Sequence, residues 1–270
     1  MFSLQEMRRA HEVVLSALRP TPALNWPLLD KRLAAEVVVK HENHLPTGAF
    51  KVRGGLTYVD ALIKREPATR GLISATRGNH GQSLAFAGRR AGLKVTILAP
   101  QGNSREKNAA MRALGAELIE FGRDFQAARE EAVRLAGLRR LHMVPSFHGD
   151  LALGVSTYAL ELMSERSDLD VLYVPIGQGS GICGCISARD TLGLKTEIVG
   201  VQSTEAPAYS LSFAAGRVVP TNSADTLADG MATRVPDQEA RGHPQGGGAD
   251  HARQRRRDCG RRARLLDRYA

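Results

Sequence analysis

The chain is short of the features that most quickly assign a protein to a class. Its 270 residues hold three cysteines, Cys183, Cys185 and Cys259. The number is odd and the first two lie too close together for an ordinary disulfide framework, so reduced thiols are expected. A Cys-x-Cys metal site is disfavoured because no second Cys or His pair sits nearby. No run approaches the roughly 18 apolar residues of a membrane span. The first residues, MFSLQEMRRAHEVV, carry an amphipathic helix pattern where a signal peptide would have an apolar centre. The expectation is a cytoplasmic protein with no membrane partner. No repeat of fixed period is visible, and the body of the chain lacks low-complexity segments, which leaves out repeat architectures.

The net charge of +9 is unevenly placed. Residues 241–270 hold nine Arg and three Asp, a net +6, so residues 1–240 carry only +3. The terminal stretch has no Lys, Val, Ile, Phe or Met, contains five Gly, and shows no apolar periodicity before Leu265-Leu266. Basic residues without interleaved aromatics or a docking motif argue only for non-specific phosphate attraction, so no specific nucleic-acid partner is expected.

What is present is a globular body. With 43% hydrophobic residues the chain can bury a substantial core in one large domain or two small ones. Short β-branched runs alternate with helical patterns over residues 35–201. Strands are expected at Glu36–Lys40, Gly71–Ala75, Lys94–Ala99, Glu117–Phe121, Leu141–Val144, Val171–Pro175 and Glu197–Val201. Helical windows lie between them at Val52–Lys64, His80–Ala91, Ser104–Leu114, Asp124–Ala136, Leu153–Glu165 and Gly181–Leu192. This alternation predicts an α/β fold of parallel sheets flanked by helices, with ligands beyond the carboxyl ends of the strands.

Three loops stand out at those ends. The first, Thr47–Gly55 (TGAFKVRGG), puts Lys51 behind Phe50 where a helix begins, at the end whose dipole favours an anion. Lys51 is then either an ordinary solvated cation or an amine kept for chemistry. The second, Ala75–Gln82 (ATRGNHGQ), offers a hydroxyl, an amide and free backbone donors that could hold a carboxylate or a ring oxygen; equally, Asn79 could merely cap the helix. The third, Pro175–Gly184 (PIGQGSGICG), interleaves Gly177, Gly179, Gly181 and Gly184 with Gln178 and Ser180. Converging N–H groups and a hydroxyl suit a phosphate there, although a tight turn without a ligand would use the same glycines. It is not a Walker loop, and the spacing Gly-x-Gly-x-x-Gly occurs only at Gly179, Gly181 and Gly184, in the sixth strand-helix unit. Together, an amine, an anion cradle and a polar loop supply what pyridoxal phosphate needs.

The three motifs resemble the fold-type II pyridoxal-phosphate family, and within it the threonine/serine dehydratase branch. Its lysine motif Ser-Phe-Lys-x-Arg-Gly is similar to Ala49-Phe50-Lys51-Val52-Arg53-Gly54, and its Ser-Ala-Gly-Asn-His-x-Gln loop to Thr76 through Gln82. Its tetraglycine loop resembles Gly177-Gln178-Gly179-Ser180, with two glycines replaced. The likeness runs from about Ala17 to Glu239. The variants of the second and third loops look most like the dehydratases linked to hydroxyectoine utilisation. The resemblance implies a two-domain, tryptophan synthase β-like architecture: residues 1–48 and 149–240 in a large cofactor domain and 49–148 in a small one. It implies that Lys51 bonds the cofactor covalently, that Phe50 packs near the ring, that Asn79 bonds the ring hydroxyl, and that Gly177, Gln178, Gly179, Ser180 and Gly181 hold the phosphate. Thr76, Arg77, Gly78 and His80 would face the substrate. Arg77, where the family has a small residue, would either clamp a second anionic group or turn outwards into solvent.

Some family members hold a divalent cation through an acidic residue after the strand at Glu197–Val201; here that position is Gln202, with Glu205 displaced, so no metal is expected. The implied reaction is β-elimination from a hydroxy-amino acid such as L-threonine or L-serine, giving a 2-oxo acid and ammonia. The alternatives are a racemase or β-replacement synthase on the same scaffold, or an inactive truncated remnant. The family is often dimeric or tetrameric, so a homo-oligomer is a possible state. Family members continue for several tens of residues past the motif that Thr226-Leu227-Ala228-Asp229-Gly230 resembles, and place there a Ser or Cys that bonds the pyridine nitrogen. Here the likeness ends near Ala240, and residues 241–270 read as the product of a frameshift: a non-native or disordered basic tail, whose lost counterpart would leave apolar surface open.

Overall fold

The computed structural model of the chain describes residues 2–237 and 264–266. It opens with α1 (Leu4–Leu15), whose Ser3 and Glu6 form a reciprocal capping box and whose Met7, Ala10 and Val14 are buried at helical spacing. A small antiparallel pair follows, β1 (Ala23–Asn25) and β2 (Val38–Lys40), joined through α2 (Pro27–Leu33). The run Glu36–Lys40 therefore pairs antiparallel rather than joining a parallel sheet.

Parallel structure begins with α3 (Lys51–Arg65) and β3 (Gly71–Ala75), and continues through α4 (Asn79–Arg90), β4 (Lys94–Ala99), α5 (Arg105–Ala113), β5 (Glu117–Glu120), α6 (Phe125–Arg139) and β6 (His142–Met143). Its four strands lie in the order β5-β4-β3-β6, all parallel. Every residue of the central β3 is buried, as a strand covered on both faces requires. Beyond α7 (Gly149–Glu165) come β7 (Val171–Pro175), α8 (Ser180–Thr191), β8 (Glu197–Val201), α9 (Ala208–Ala215) and β9 (Arg264–Leu266). These strands form a second parallel sheet in the order β7-β8-β9. Three residues of the basic terminal stretch thus pair with β8; the rest of 241–270 lies outside the described residues. Among the described residues nothing covers Tyr173 of β7, which is 61% exposed.

The helices meet at glycines. A Cβ on Gly54 of α3 would lie 2.6 Å from the Leu151 carbonyl oxygen of α7, and one on Gly154 of α7 would overlap Thr57 and Arg53. Only glycine permits this approach, and the Thr57 hydroxyl uses it to donate to the Asp150 carbonyl at 2.8 Å. Apolar residues of α1, α7, α8 and β7, among them Met7, Val155, Val174 and Ile186, form one core. Val52, Leu62, Leu72, Leu84 and Ile97 from α3, β3, α4 and β4 form another. The Lys51 end of α3 is thereby fixed between the two parallel sheets' helices.

Beneath that end lies a buried charge network. Arg53, fully buried, donates to Glu42 through Nε and Nη2 at 2.7 and 2.9 Å, and to Glu161 of α7 through Nη1 and Nη2 at 2.7 and 3.0 Å. Lys40 Nζ reaches the same Glu161 carboxylate at 2.7 Å, and His11 Nε2 lies 3.0 Å from it. Burial opposes the Glu161 charge, but hydrogen bonds from His11, Arg53 and Lys40 and the Arg53 charge outweigh it and hold the carboxyl well below the usual carboxylate range.

Candidate active site

The loops after β3 and β7 and the start of α3 converge on one cavity of about 840 Å³. Every site residue nominated from the sequence lines it: Phe50 and Lys51, Thr76 to His80, and Gly177 to Gly181. The volume falls in the range of small-molecule and cofactor sites.

Lys51 is the first residue of α3, which has no side-chain cap. Its Nζ donates to Ser180 Oγ at 2.8 Å and lies 5.6 Å from the centre of the Phe50 ring. The side chain keeps part of its surface open to the cavity, yet its amine is deep enough that desolvation lowers its pKa to about 8. The Ser83 hydroxyl bonds the Lys51 carbonyl at 2.6 Å and ties α4 to this turn.

In the second loop, Thr76 Oγ1 accepts the Gly78 N–H at 3.1 Å, closing a short turn before α4. Asn79 is the first residue of α4 and caps nothing: that helix has no side-chain cap, so its first N–H groups stay available to a ligand. His80 is buried, and its pKa is pushed down to about 3 by burial and then by the Lys51 charge, against a bond to the Pro145 carbonyl. Its ring is neutral, and Nε2 has no partner among the described residues. Arg77 stands exposed on the cavity wall between buried Thr76 and Gly78.

In the third loop, Gly179 takes φ 91°, the left-handed region glycine favours, immediately before α8. A Cβ on Gly177 would overlap the Gly230 carbonyl oxygen. The start of α8 also lacks a side-chain cap, leaving its first N–H groups pointed at the space beside Ser180. Behind the loop, Tyr158 OH contacts Cys185 Sγ at 3.0 Å, and the Tyr158 ring lies 5.6 Å from that of Phe50. Burial pushes the Cys185 thiol up to about 12, so it stays protonated and packs as a small apolar group. Gln202, after β8, is buried and accepts the Ser210 N–H at 2.8 Å.

Pyridoxal phosphate fits these residues. The cavity offers an amine of lowered pKa, a glycine cradle that a Cβ would fill, an uncapped helix start for a phosphate, and an unpaired buried acceptor in His80. Two contributors went unrecognised in the sequence. The 3₁₀ turn Asp229–Met231 covers the glycine loop, and Lys107 of α5 forms an ion pair with Asp229 across the cavity. The Thr226–Gly230 motif could have drawn attention to the former; nothing in sequence spacing pairs Lys107 with it.

Known proteins share the sequence and the fold of this chain. The profile of the pyridoxal-phosphate dependent enzyme family matches residues 14–251. The L-threo-3-hydroxyaspartate ammonia-lyase of Saccharomyces cerevisiae is 33% identical over 215 residues, covering 79% of this chain and 66% of the relative. The L-threonine ammonia-lyase of Thermotoga maritima is 30% identical over 237 residues, 87% of this chain and 59% of the relative. This chain spans roughly half the length of several curated relatives it matches, between 45% and 59%. Among solved structures, a pyridoxal 5'-phosphate-dependent aspartate racemase superposes with a TM-score of 0.80 at 27% identity, covering 86% of this chain and 73% of that one. On its fold, its motifs and the extent of the match, the chain belongs to the pyridoxal-phosphate dependent enzyme family.

Proposed function

We propose that this chain is an ammonia-lyase that acts by β-elimination on a hydroxy-amino acid such as L-threonine or L-serine. The observation that carries the reading is Lys51: an amine with a pKa lowered to about 8, facing Ser180 in a cavity that also collects the 76–80 and 177–181 loops. When bound, pyridoxal phosphate supplies an electron sink for the charge left on the substrate Cα. Gly177 to Gly181 and the start of α8 would hold its phosphate, Phe50 would pack beside the ring, and Asn79 would bond the ring hydroxyl. Thr76, Gly78, His80 and the free N–H groups of α4 orient the substrate carboxylate. Lys51 Nζ in its neutral form would take the Cα proton, and Ser180 Oγ, 2.8 Å away, would steady the resulting ammonium and help pass a proton to the departing β-hydroxyl. The β-hydroxyl leaves as water, and hydrolysis of the product returns water, so the net loss is ammonia.

The relatives' activities, on L-threonine and L-threo-3-hydroxyaspartate, support this reading. The division into 1–48 with 149–240 around 49–148, a cytoplasmic location, a dimeric or tetrameric state and the hydroxyectoine-linked subgroup belong to the same proposal. Incubating the pyridoxal-phosphate-loaded chain with L-threonine or L-serine should release ammonia and a 2-oxo acid in equal amounts. In Lys51→Ala, turnover should fall at least about 1,000-fold and the cofactor's visible absorbance should be lost; persistence of both contradicts the proposal. The similarity to an aspartate racemase supports a second reading. Inversion of L-serine or L-aspartate without ammonia release would favour it, and sulfide incorporation would mark a β-replacement synthase.

A further inference from the structure

We propose that Arg77 anchors a second, distal carboxylate, so that the preferred substrate is a β-hydroxy amino dicarboxylate of the 3-hydroxyaspartate class; this rests on the ammonia-lyase reading and narrows its substrate. The cavity is lined by four cations, Lys51, Arg77, Lys107 and Arg234, against two carboxylates, Asp124 and Asp229. Most of these groups are already committed. Lys107 pairs with Asp229, Asp124 accepts the Ala127 N–H at 2.9 Å, and Arg234 Nε donates to the Thr221 carbonyl at 3.2 Å. Lys51 is the reacting amine. Arg77 is different: its carbonyl accepts from Asn103 at 3.0 Å, but its guanidinium has no hydrogen bond or ion pair among the described residues.

Position adds to charge. Arg77 belongs to the same short turn whose following N–H groups, at the uncapped start of α4, suit the substrate's first carboxylate. A second carboxylate two carbons further on lies within one arginine side chain of the first, and the planar guanidinium can grip it with two parallel hydrogen bonds. The methyl of threonine offers that fork nothing. The chemistry is unchanged: the Cα–H and Cβ–O bonds break, a carbon–carbon double bond forms, the hydroxyl takes up a proton and leaves as water, and hydrolysis of the enamine gives a 2-oxo dicarboxylate and ammonia. No oxidant or reductant is required.

The anchor can be tested apart from turnover with L-aspartate, which has no β-leaving group, and L-2-aminobutyrate, which has the same carbon count and one carboxylate fewer. Calorimetric titration of the pyridoxal-phosphate-loaded chain should show tighter binding of L-aspartate. In Arg77→Ala the ratio of the two affinities should fall about 30-fold, as expected for loss of a charge-assisted bidentate contact, and Arg77→Lys should recover part of it. The ratio of kcat/KM for threo-3-hydroxyaspartate over L-threonine should fall in parallel. Ratios unchanged within about two-fold in Arg77→Ala overturn the anchor, even if ammonia release proceeds. A fall in the aspartate ratio without any ammonia release supports the anchor and overturns the lyase reading instead.

Discussion

Lys51 occupies a helix start whose field repels a cation, and the site turns that disadvantage into reactivity. Burial, not a neighbouring charge, brings its pKa to about 8, so a sizeable share of the amine is neutral near physiological pH. The rate at which the cofactor-free chain captures pyridoxal phosphate should therefore rise through about pH 8 and level off above it, measured by the growth of visible absorbance; a flat profile from about pH 6.5 to 9.5 would contradict this. The same shift sets a stability trend. The folded amine releases its proton near pH 8 and the unfolded one near 10.5, so the unfolded chain binds more protons between those values and the Lys51 contribution to stability rises with pH across them. At this scale the sequence was informative where chemistry sits in adjacent residues: Phe50-Lys51, Thr76 to His80 and the glycine loop all line the cavity. It was silent on Ser180 meeting Lys51, a contact between residues 129 positions apart.

At the scale of elements, α3 is held by more than its apolar face. Arg53 lies two residues after Lys51, and its four hydrogen bonds to Glu42 and Glu161 join α3 to the segment after β2 and to α7. Replacing Glu161 by Ala would leave Arg53 and Lys40 buried without their shared partner; a loss of about 3–5 kcal/mol in urea-unfolding free energy is expected. Because the folded Glu161 carboxyl titrates below its usual value of 4.5, its contribution is full above that pH and is lost as pH falls below it, a dependence that Glu161→Gln should flatten. None of this network was legible in sequence. Glu161 sits among buried apolar residues of α7, and a buried acid paired over 108 residues has no periodicity to betray it. The strands β3, β4, β7 and β8 match their predicted limits to the residue because each is a short, mostly apolar run set between helical patterns. The sequence reading missed β1, α2 and α9 for the opposite reason. β1 has three residues and no β-branched one, α2 is only seven residues long, about two turns, and α9 is eight residues behind a proline.

For the whole molecule, two parallel sheets and their helices frame a single site, to which residues from Phe50 to Val235 contribute. A ligand that bridges so many elements should stabilise them jointly. Pyridoxal phosphate at about 100 times its dissociation constant is expected to add about 2.7 kcal/mol to unfolding free energy, read as a rise in Tm that grows with concentration. Parallel order was legible from strand-helix alternation, whereas closure of the cavity by the Asp229–Met231 turn and the Lys107–Asp229 pair was not, since it depends on how distant segments fold over one another. All of these expectations depend on which amine bonds the cofactor. Borohydride reduction of the pyridoxal-phosphate-loaded chain, followed by peptide mapping, tests that directly: one adduct on the peptide bearing Lys51 is predicted, and an adduct on Lys107 or another lysine, with Lys51 unmodified, would contradict the account.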